Sequence, residues 1–585
     1  MLACMRHESF YEAGSLTSDD GVLAVGWVGI DGQAADAMVA QSADTCVVLT
    51  GELFGIRGAG SKNATDGKHA ERALRAYQAD GDGFLSGLNG WFGGVIHDRR
   101  RRRILLCNDR YGHGRLYWHR DANGFYFASE AKALLALRPQ LRALDPRGLA
   151  EWLSCGCVLQ NRTLFPNIFL LPPASAWSFD ADGSASERTY FRPAEWENQP
   201  ELNTDEYLGK LGEILPGVLK RYLAGDRASA ISLTGGLDGR MIMAWAGLAP
   251  GELPCYTFNG PYRECADARI ARRIAEACGQ SHQVIPMGEG FFQEFADLAA
   301  KSVYLSDGTM DVTGAAELYM NRDARRIAPV RVTGNYGSEI LREYVAFRAG
   351  TRPVPGIDAS LAELMPQAAA TYASEAQGHK LSFIAFKQVP WHHYARSSIE
   401  RSQLTVRSPY LDNDLVALAF QAPAEARTVP TLLRFIAQSA PQLGLIPNDR
   451  GVTHPGGGLS NRLTRTAHEF IAKAEYAYDY GMPQWLAKLD HRAAPLHLER
   501  LFLGHQKFCH FRVWYRDRLA DDIREILLDP RTLGRSVFER AAIERVVEQH
   551  LKGTHNHTLA LHKLLSLELL FRCLVEGDIE RKFFA

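Results

Sequence analysis

Apolar and polar positions alternate over short stretches in the first third of the chain, the period of strands rather than helices. Cys46-Val47-Val48-Leu49-Thr50 is a compact apolar run that stops at Gly51. Phe92-Gly93-Gly94-Val95-Ile96-His97 and Ile104-Leu105-Leu106-Cys107 flank Asp98 and the five arginines Arg99 to Arg103, the pattern of a hairpin with a solvated basic tip. Leu116-Tyr117-Trp118-His119 and Phe125-Tyr126-Phe127 flank Asp121-Ala122-Asn123-Gly124, where Asn-Gly suits the positive φ values of a tight hairpin turn. One helix is predicted among these strands, from Lys68 to Ala79. The pattern describes an α+β unit ending near residue 195.

Between Pro193 and Thr204 the periodicity lapses and a second proline, Pro200, interrupts the chain, as in a linker. Strands then alternate with helices. Ala228-Ser229-Ala230-Ile231-Ser232-Leu233 is strand-like and runs into a glycine-rich loop, and Pro254-Cys255-Tyr256-Thr257-Phe258 reads as the next strand. From Asp267 to Cys278, residues Ile270, Ala271, Ile274 and Ala275 share one helical face, and Gly279 is a suitable stop. Val330-Arg331-Val332-Thr333 is a further short strand. This succession predicts a parallel, doubly wound α/β sheet with its ligand at the strand C-termini. Past about residue 355 the pattern is mostly helical, and the last run, Leu559 to Val575, reads as an amphipathic helix facing the core rather than a membrane.

Composition narrows this only a little. The chain has 585 residues, too many for one hydrophobic core, and a formal net charge of -1, which argues for no nucleic-acid or membrane partner. No apolar run approaches the roughly 20 residues needed to span a bilayer. The start Met1-Leu2-Ala3-Cys4 looks like the end of a lipoprotein cleavage site but lacks the preceding basic and apolar regions, so the chain is read as untargeted. Its ten cysteines are scattered, with one close pair at Cys155-x-Cys157, which favours reduced thiols and a cytoplasmic location.

Candidate chemistry is concentrated in two loops. Leu233-Thr234-Gly235-Gly236-Leu237-Asp238-Gly239 joins a strand to a helix predicted from Arg240 to Trp245. Glycines there let backbone N–H groups approach phosphate oxygens, and a helix N-terminus favours negative charge. Asp238 would repel phosphate unless Mg²⁺ lay between them, so it reads as a metal ligand. A tight turn without a ligand remains the alternative. Thr333-Gly334-Asn335-Tyr336-Gly337-Ser338-Glu339 also follows a strand and should lie on the same sheet edge, with Glu339 as a second carboxylate for the metal and Tyr336 facing the reacting centre.

With further segments, these loops resemble the glutamine-dependent asparagine synthetases and the related β-lactam synthetases over nearly the whole length. Thr234 to Gly239 is similar to the family's Ser-Gly-Gly-x-Asp-Ser pyrophosphate loop; Asp267, Gly279 and His282 match its next segment. Tyr336-Gly337-Ser338-Glu339 stands where the synthetase has Glu-Gly-Ser-Asp and the β-lactam enzyme Tyr-Gly-Ala-Asp. Val406-Arg407-Ser408-Pro409-Tyr410-Leu411-Asp412 is similar to Val-Arg-Val-Pro-Phe-Leu-Asp. In the first unit the matches are Leu88-Asn89-Gly90-Trp91-Phe92, Asn108-Asp109-Arg110-Tyr111-Gly112 and Phe127-Ala128-Ser129-Glu130-Ala131-Lys132. The resemblance implies an Ntn-type glutamine amidotransferase-like domain over residues 1–195. An ATP-pyrophosphatase-type synthetase domain with a helical C-terminal part would cover residues 204–585.

The departures from the family shape the expected function. The glutaminase of this family uses an N-terminal Cys as nucleophile; Val25, in Val25-Gly26-Trp27-Val28-Gly29, occupies that stretch and cannot attack an amide. Cys4 lacks the family's flanks, Thr50-Gly51-Glu52 replaces Asn-Gly-Glu and loses an oxyanion-hole amide, and the expected glutamine-binding Asp is replaced near His69. In the second half Gly239 loses a hydroxyl, which Arg240 is expected to replace as a phosphate contact. Arg450 falls where the family has a catalytic Lys; it keeps the positive charge but cannot act as a base. Gly456 to Gly458 reads as a lid or a surface loop. His392 and His393 lie where the β-lactam enzyme places the Glu partner of its catalytic Tyr, so a Tyr336–His393 dyad is expected to deprotonate an amine. Asp311 matches a family pocket acid.

The implied activity is an ATP-dependent, amide-forming ligase that adenylates a carboxylate. ATP would contact Leu233, Thr234, Gly235, Gly236, Asp238, Gly239, Arg240, Phe258 and Gly334; Mg²⁺ would bind Asp238 and Glu339; Tyr336, Arg450 and His393 would be catalytic. The expected partners are small-molecule or peptide carboxylates and amines, and a homodimer is compatible with this reading. A conventional glutamine-hydrolysing asparagine synthetase and a non-catalytic nucleotide-binding scaffold remain the alternatives.

Overall fold

The structure is a computed structural model that describes all residues except 31–37, 57–67, 181–183, 454–458, 494–497, 502 and 579–585. Among the described residues its first part is built from eleven strands: β1 (Tyr11–Thr17), β2 (Ala24–Ile30), β3 (Val39–Gln41), β4 (Thr45–Ile56), β5 (Leu88–Asp98), β6 (Arg103–Asn108), β7 (Tyr117–Asp121), β8 (Gly124–Ala128), β9 (Phe169–Leu170), β10 (Ser175–Asp180) and β11 (Ala185–Thr189). Six of them form one antiparallel sheet in the order β11-β10-β6-β5-β4-β3. Alternation decides its two faces. Val47, Ile96 and Leu105 pack with the helix His69–Asp80, while their neighbours Val48, Val95 and Leu106 pack with Val25, Trp27 and Leu116 under β1-β2 and β8-β7-β9.

Both predicted hairpins are present. β5 pairs with β6 from Gly93↔Asn108 to Asp98↔Arg103, and β7 with β8 from Tyr117↔Ala128 to Asp121↔Gly124. The basic tip of the first is neutralised locally: Arg103 pairs with Asp82, and Arg99 lies 3.2 Å from Asp19. The predicted linker contains a short helix, Ala194–Glu197, before a longer one, Thr204–Leu223. The latter begins at a capping box in which Asn203 accepts from the Glu206 amide at 3.0 Å and Glu206 reaches back to the Asn203 amide.

The second part is organised by a parallel sheet of β12 (Ser229–Ser232), β13 (Cys255–Asn259), β14 (His282–Pro286), β15 (Val330–Thr333) and β16 (Thr405–Arg407), in the order β14-β13-β12-β15-β16. Both faces are buried. Ala230, Tyr256 and Val406 join one apolar cluster, while Ile231, Cys255 and Val332 join another, so helices cover the sheet on two sides. Gly279 takes φ +67° after helix Ala266–Ala277, as the stop signal required. β14 and β16 have no clear period in the sequence; both lie at the edges of the sheet, where residue choice is least constrained.

The last helix, Thr558–Leu570, corrects the amphipathic reading: eleven of its thirteen residues are buried, so it is enclosed by the C-terminal helices rather than lying on them. Its Glu568 is tolerated because Arg535 and Arg572 both pair with it. Among the described residues no helix is long and apolar enough to cross a membrane.

The two parts meet at a polar joint. Arg407, on β16, donates to both carboxylate oxygens of Glu52 at 2.7–3.1 Å and to the Tyr222 and Ala224 carbonyls at 3.1 and 2.9 Å. Asn89 donates to Asp412 at 2.9 Å and accepts from the Asn413 amide, whose side chain returns to the Leu88 carbonyl. The segment Val406 to Asp412 therefore serves as the fastening between the halves.

Candidate functional site

β12 and β15 are neighbours at the point where the strand order reverses, so the loops that leave them share one crevice. Close backbone approach explains the second loop's glycines. A Cβ on Gly334 would stand 2.7 Å from the Gly239 nitrogen, and one on Gly337 would stand 2.6 Å from Asp238 Cγ. Between them, Tyr336 adopts φ +69°, a left-handed conformation that a bulky residue rarely takes, and caps the helix Gly337–Arg342.

The crevice opens into a cavity of about 620 Å³. The first loop contributes Leu233, Thr234, Gly236, Asp238 and Gly239 to its wall, and Phe258 lies alongside. Gly334, Tyr336 and Glu339 come from the second loop, His393 and Arg450 from later segments. Asp238 sits in the first turn of helix Leu237–Trp245; its Oδ2 accepts from Ser338 at 2.6 Å, while Oδ1 is buried without a hydrogen-bond partner. Burial raises the Asp238 carboxyl above its usual range, against the pull of Ser338 and Arg342. Burial also pushes the Glu339 carboxyl up to about 7, with the neighbouring Asp238 charge adding to the rise. Two neighbouring buried carboxyls are thus held above their ordinary range, and one of their oxygens, Asp238 Oδ1, has no donor.

Arg450 is placed by its own loop: Asn448 accepts from the amides of Arg450 and Val452 at 3.0 and 2.8 Å, leaving the exposed Arg450 side chain at the cavity.

Four expectations need correction. Arg240 is fully buried and donates to the carbonyls of Gly235, Leu443, Ile446 and Pro447, so it ties two segments together and has no access to a phosphate. Gly235 does not face the cavity; its N–H donates to Asp267 at 2.8 Å, and burial holds that carboxyl at about 6. The Tyr336 hydroxyl meets His113 Nε2 at 3.2 Å rather than His393, which touches the Tyr336 ring edge-to-face at 5.5 Å between centroids. His393 instead faces Glu339 at 3.5 Å and Gln388 at 3.1 Å, and burial lowers it to about 3, too weak a base for an ordinary amine. Asp311 is not among the cavity residues and accepts from the Thr313 amide at 3.0 Å. Gly456 to Gly458 lie outside the described residues.

Some cavity residues were not anticipated. Arg342, one turn beyond Glu339, donates to Ser338; its helical spacing from Glu339 is the signal that could have exposed it. Arg331 and Arg396 reach the wall beside Phe508, and both pair with Glu400. His113, which belongs to the first half and reaches Tyr336 from behind the wall rather than lining the cavity, carried no usable signal.

Another cavity, of about 190 Å³, lies where the halves meet, lined by Thr50, Glu52, Arg115 and Glu130 of the first half and by residues of the second such as Tyr394 and Arg401. Here the polar groups are committed to one another. The Thr50 hydroxyl donates to the Gly93 carbonyl at 3.0 Å, Arg407 holds Glu52, and Glu130 accepts from Lys132 at 2.6 Å. Val25 pairs with Leu16 across the β1-β2 ladder and is buried; Cys4 is buried in helix Leu2–Met5; His69 Nδ1 accepts from the Leu53 amide at 3.1 Å.

Residues 5–191, which span β1 to β11, match the glutamine amidotransferase domain family. Asparagine synthetase [glutamine-hydrolyzing] 3 of Bacillus subtilis is 25% identical over 329 residues, 52% of this chain and 52% of that protein. Amidase chry2 of Gibberella zeae is 26% identical over 354 residues, 53% of this chain and 48% of that protein. The chain thus spans about half the length of the curated relatives it matches. The glutamine phosphoribosylpyrophosphate amidotransferase structure from Bacillus subtilis aligns over 49% of this chain and 77% of its own, with 11% identity and a TM-score of 0.22, too slight to argue from.

Proposed function

From a chain that carries a glutamine amidotransferase domain and is distantly homologous to glutamine-hydrolysing asparagine synthetases and fungal amidases, we propose an ATP-dependent, amide-forming ligase that activates a carboxylate as its adenylate. The observation that carries this reading is the pairing of Asp238, with its partnerless Oδ1, and Glu339 beside a glycine-lined helix N-terminus at the reversal point of a parallel sheet. A buried carboxylate oxygen without a donor fits a cation, so Asp238 and Glu339 are the residues that would hold Mg²⁺, whose chemistry is to neutralise phosphate charge.

In the proposed reaction a carboxylate oxygen attacks the α-phosphorus of ATP, and the α–β bridge bond breaks with its electron pair leaving on pyrophosphate. Thr234, Gly236 and Gly239 line the phosphate end of the cavity, and Arg450 and Arg342 offset the charge that accumulates there. An amine nitrogen then adds to the acyl carbon, AMP departs with the electron pair of its bond to that carbon, and the ammonium proton passes to water. The substrates are small-molecule or peptide carboxylates and amines.

The amine source we propose is not glutamine. Support comes from the first half, where Val25 is a buried ladder residue, Thr50 is bonded to Gly93, and Glu52 is held by Arg407. The relationship to glutamine-hydrolysing enzymes favours the opposite reading, and glutamate release from glutamine by the purified protein decides between them.

Carboxylate-dependent pyrophosphate release, measured across amino acids and peptides, tests the ligase reading. The parent is expected to respond to at least one carboxylate, and Asp238→Ala is expected to lose roughly 10³-fold of that rate, the scale of removing a main electrostatic stabiliser. An unchanged rate in Asp238→Ala would sink the assignment.

A further inference from the structure

Tyr336 is one of the aromatic residues lining the ligase cavity, and its surroundings come from both halves of the chain. Its ring meets Trp91, His113 and His393 edge-on, at centroid distances of 6.2, 6.1 and 5.5 Å. Trp91 and His113 lie against each other at 4.2 Å and both belong to the amidotransferase domain. His113 is therefore placed by the first half and aimed at the second.

Its placement is rigid. The Asp109 carboxylate accepts from the amides of Tyr111 at 2.9 Å, His113 at 3.2 Å and Gly114 at 2.5 Å, which closes the loop around one side chain. Gly112 takes φ +64° within it, where a Cβ would also lie 3.1 Å from Pro173. Arg401 then approaches from the second half, its guanidinium donating to His113 Nδ1 at 3.4 Å and to the His113 carbonyl at 3.3 Å.

That contact selects a tautomer. A guanidinium has donors and no acceptor, so the Nδ1 it faces presents a lone pair. Burial, with Arg401 and Arg115 nearby, keeps the ring neutral by holding His113 well below the ordinary histidine range. A neutral ring with a bare Nδ1 carries its proton on Nε2, the atom 3.2 Å from the Tyr336 hydroxyl. The Tyr336 oxygen is then the acceptor of that bond, and its own proton points elsewhere. Ser397 Oγ, 3.5 Å from the same Nε2, lines the cavity with Tyr336.

We infer that His113 is a positioning residue of the ligase site: it donates Nε2–H to the Tyr336 oxygen and turns the phenol proton towards the reacting acyl group. This rests on the ligase reading above. As the amine nitrogen bonds to the acyl carbon, the carbonyl π pair moves onto oxygen, and Tyr336 donates a hydrogen bond to that oxygen while keeping its proton. Collapse restores the carbonyl and expels AMP. The role replaces the expected Tyr–His base with a donor, and it makes the amidotransferase domain part of the ligase site without any glutamine chemistry.

The tautomer is testable without knowing the substrate. In full-length protein labelled with ¹⁵N-histidine, long-range ¹H–¹⁵N correlation, with His113 assigned by its loss in His113→Gln, is expected to show a neutral ring protonated on Nε2. A ring protonated on Nδ1, or on both nitrogens, overturns the inference. In turnover, the ratio of amide formation to carboxylate-dependent ATP–pyrophosphate exchange is expected to fall roughly 10²-fold in His113→Phe. His113→Gln, whose amide nitrogen can still donate to Tyr336, should restore that ratio to within a few-fold. An equal loss in both measurements, or no rescue by Gln, would mark a merely structural residue. Failure of the parent to support any exchange would instead remove the ligase reading, whatever the tautomer.

Discussion

The two cavities differ in what their polar groups have already been given. In the first half Glu52, Glu130 and Thr50 are each met by a partner within the protein: Arg407, Lys132 and the Gly93 carbonyl. In the crevice at β12 and β15 Asp238 Oδ1 has none, Glu339 is driven up to about 7, and the Arg450 side chain is exposed. A fold that must bind a ligand holds polar groups back from internal hydrogen bonds, at a cost in stability; a fold that uses the same residue types as a joint satisfies them. In Thr50-Gly51-Glu52, Glu52 fastens the domains.

The largest test of this contrast is at the joint. Arg407→Ala leaves Glu52, 9% exposed, as an unpaired buried charge and is expected to cost about 3–5 kcal/mol in thermal or urea unfolding. Removing both charges, as in Glu52→Leu with Arg407→Met, should be markedly less damaging. If the double variant is as unstable as the single, Glu52 is not serving as a joint residue.

At the crevice, Arg450→Ala should slow the proposed carboxylate-dependent turnover by roughly 10²-fold, about 2.7 kcal/mol of transition-state stabilisation, with little change in melting temperature. Arg450→Lys should recover part of the rate, since charge rather than proton transfer is the requirement. A stability loss without a rate loss would place Arg450 with the structural groups.

The smallest effect concerns acid. His392, packed on Phe347 at 4.9 Å, is pushed down to about 4 by burial, and its Nδ1 has no hydrogen-bond partner. Because the unfolded chain binds a proton near pH 6.5 and the folded state resists it until about 4, stability should fall as pH drops through that window. The loss should reach about 1.4 kcal/mol at pH 5.5 and be reduced in His392→Phe, read from unfolding curves at pH 7.5 and 5.5. An identical pH slope in the variant would assign the acid sensitivity elsewhere.

Much of the crevice at β12 and β15 was legible in the sequence because it is local. A strand, a glycine-rich turn and a helix are specified within Ser229 to Trp245, and the second loop repeats the logic within Val330 to Arg342. Asp238 and Glu339 could be paired on paper because each follows a strand of one sheet. The hairpins β5-β6 and β7-β8 were equally local, written by alternation and an Asn-Gly turn.

What the tertiary structure decided are the long-range partners. Adjacent charge suggested phosphate binding for Arg240, yet its carbonyl acceptors lie some 200 residues away at Leu443 to Pro447, and burial rather than sequence context assigned it to them. His392 and His393 offered themselves as partners for Tyr336, but its hydroxyl met His113, 223 positions distant, because the first domain's loop is pressed against the cavity wall. Glu52 and Arg407, 355 positions apart, are joined in the same way. Residue type and local period therefore determined where the glycine-rich loops and their carboxylates meet in this chain. Packing of one domain on the other determined which polar groups remain available for it, since a hydrogen bond to a distant segment leaves no periodic trace in sequence.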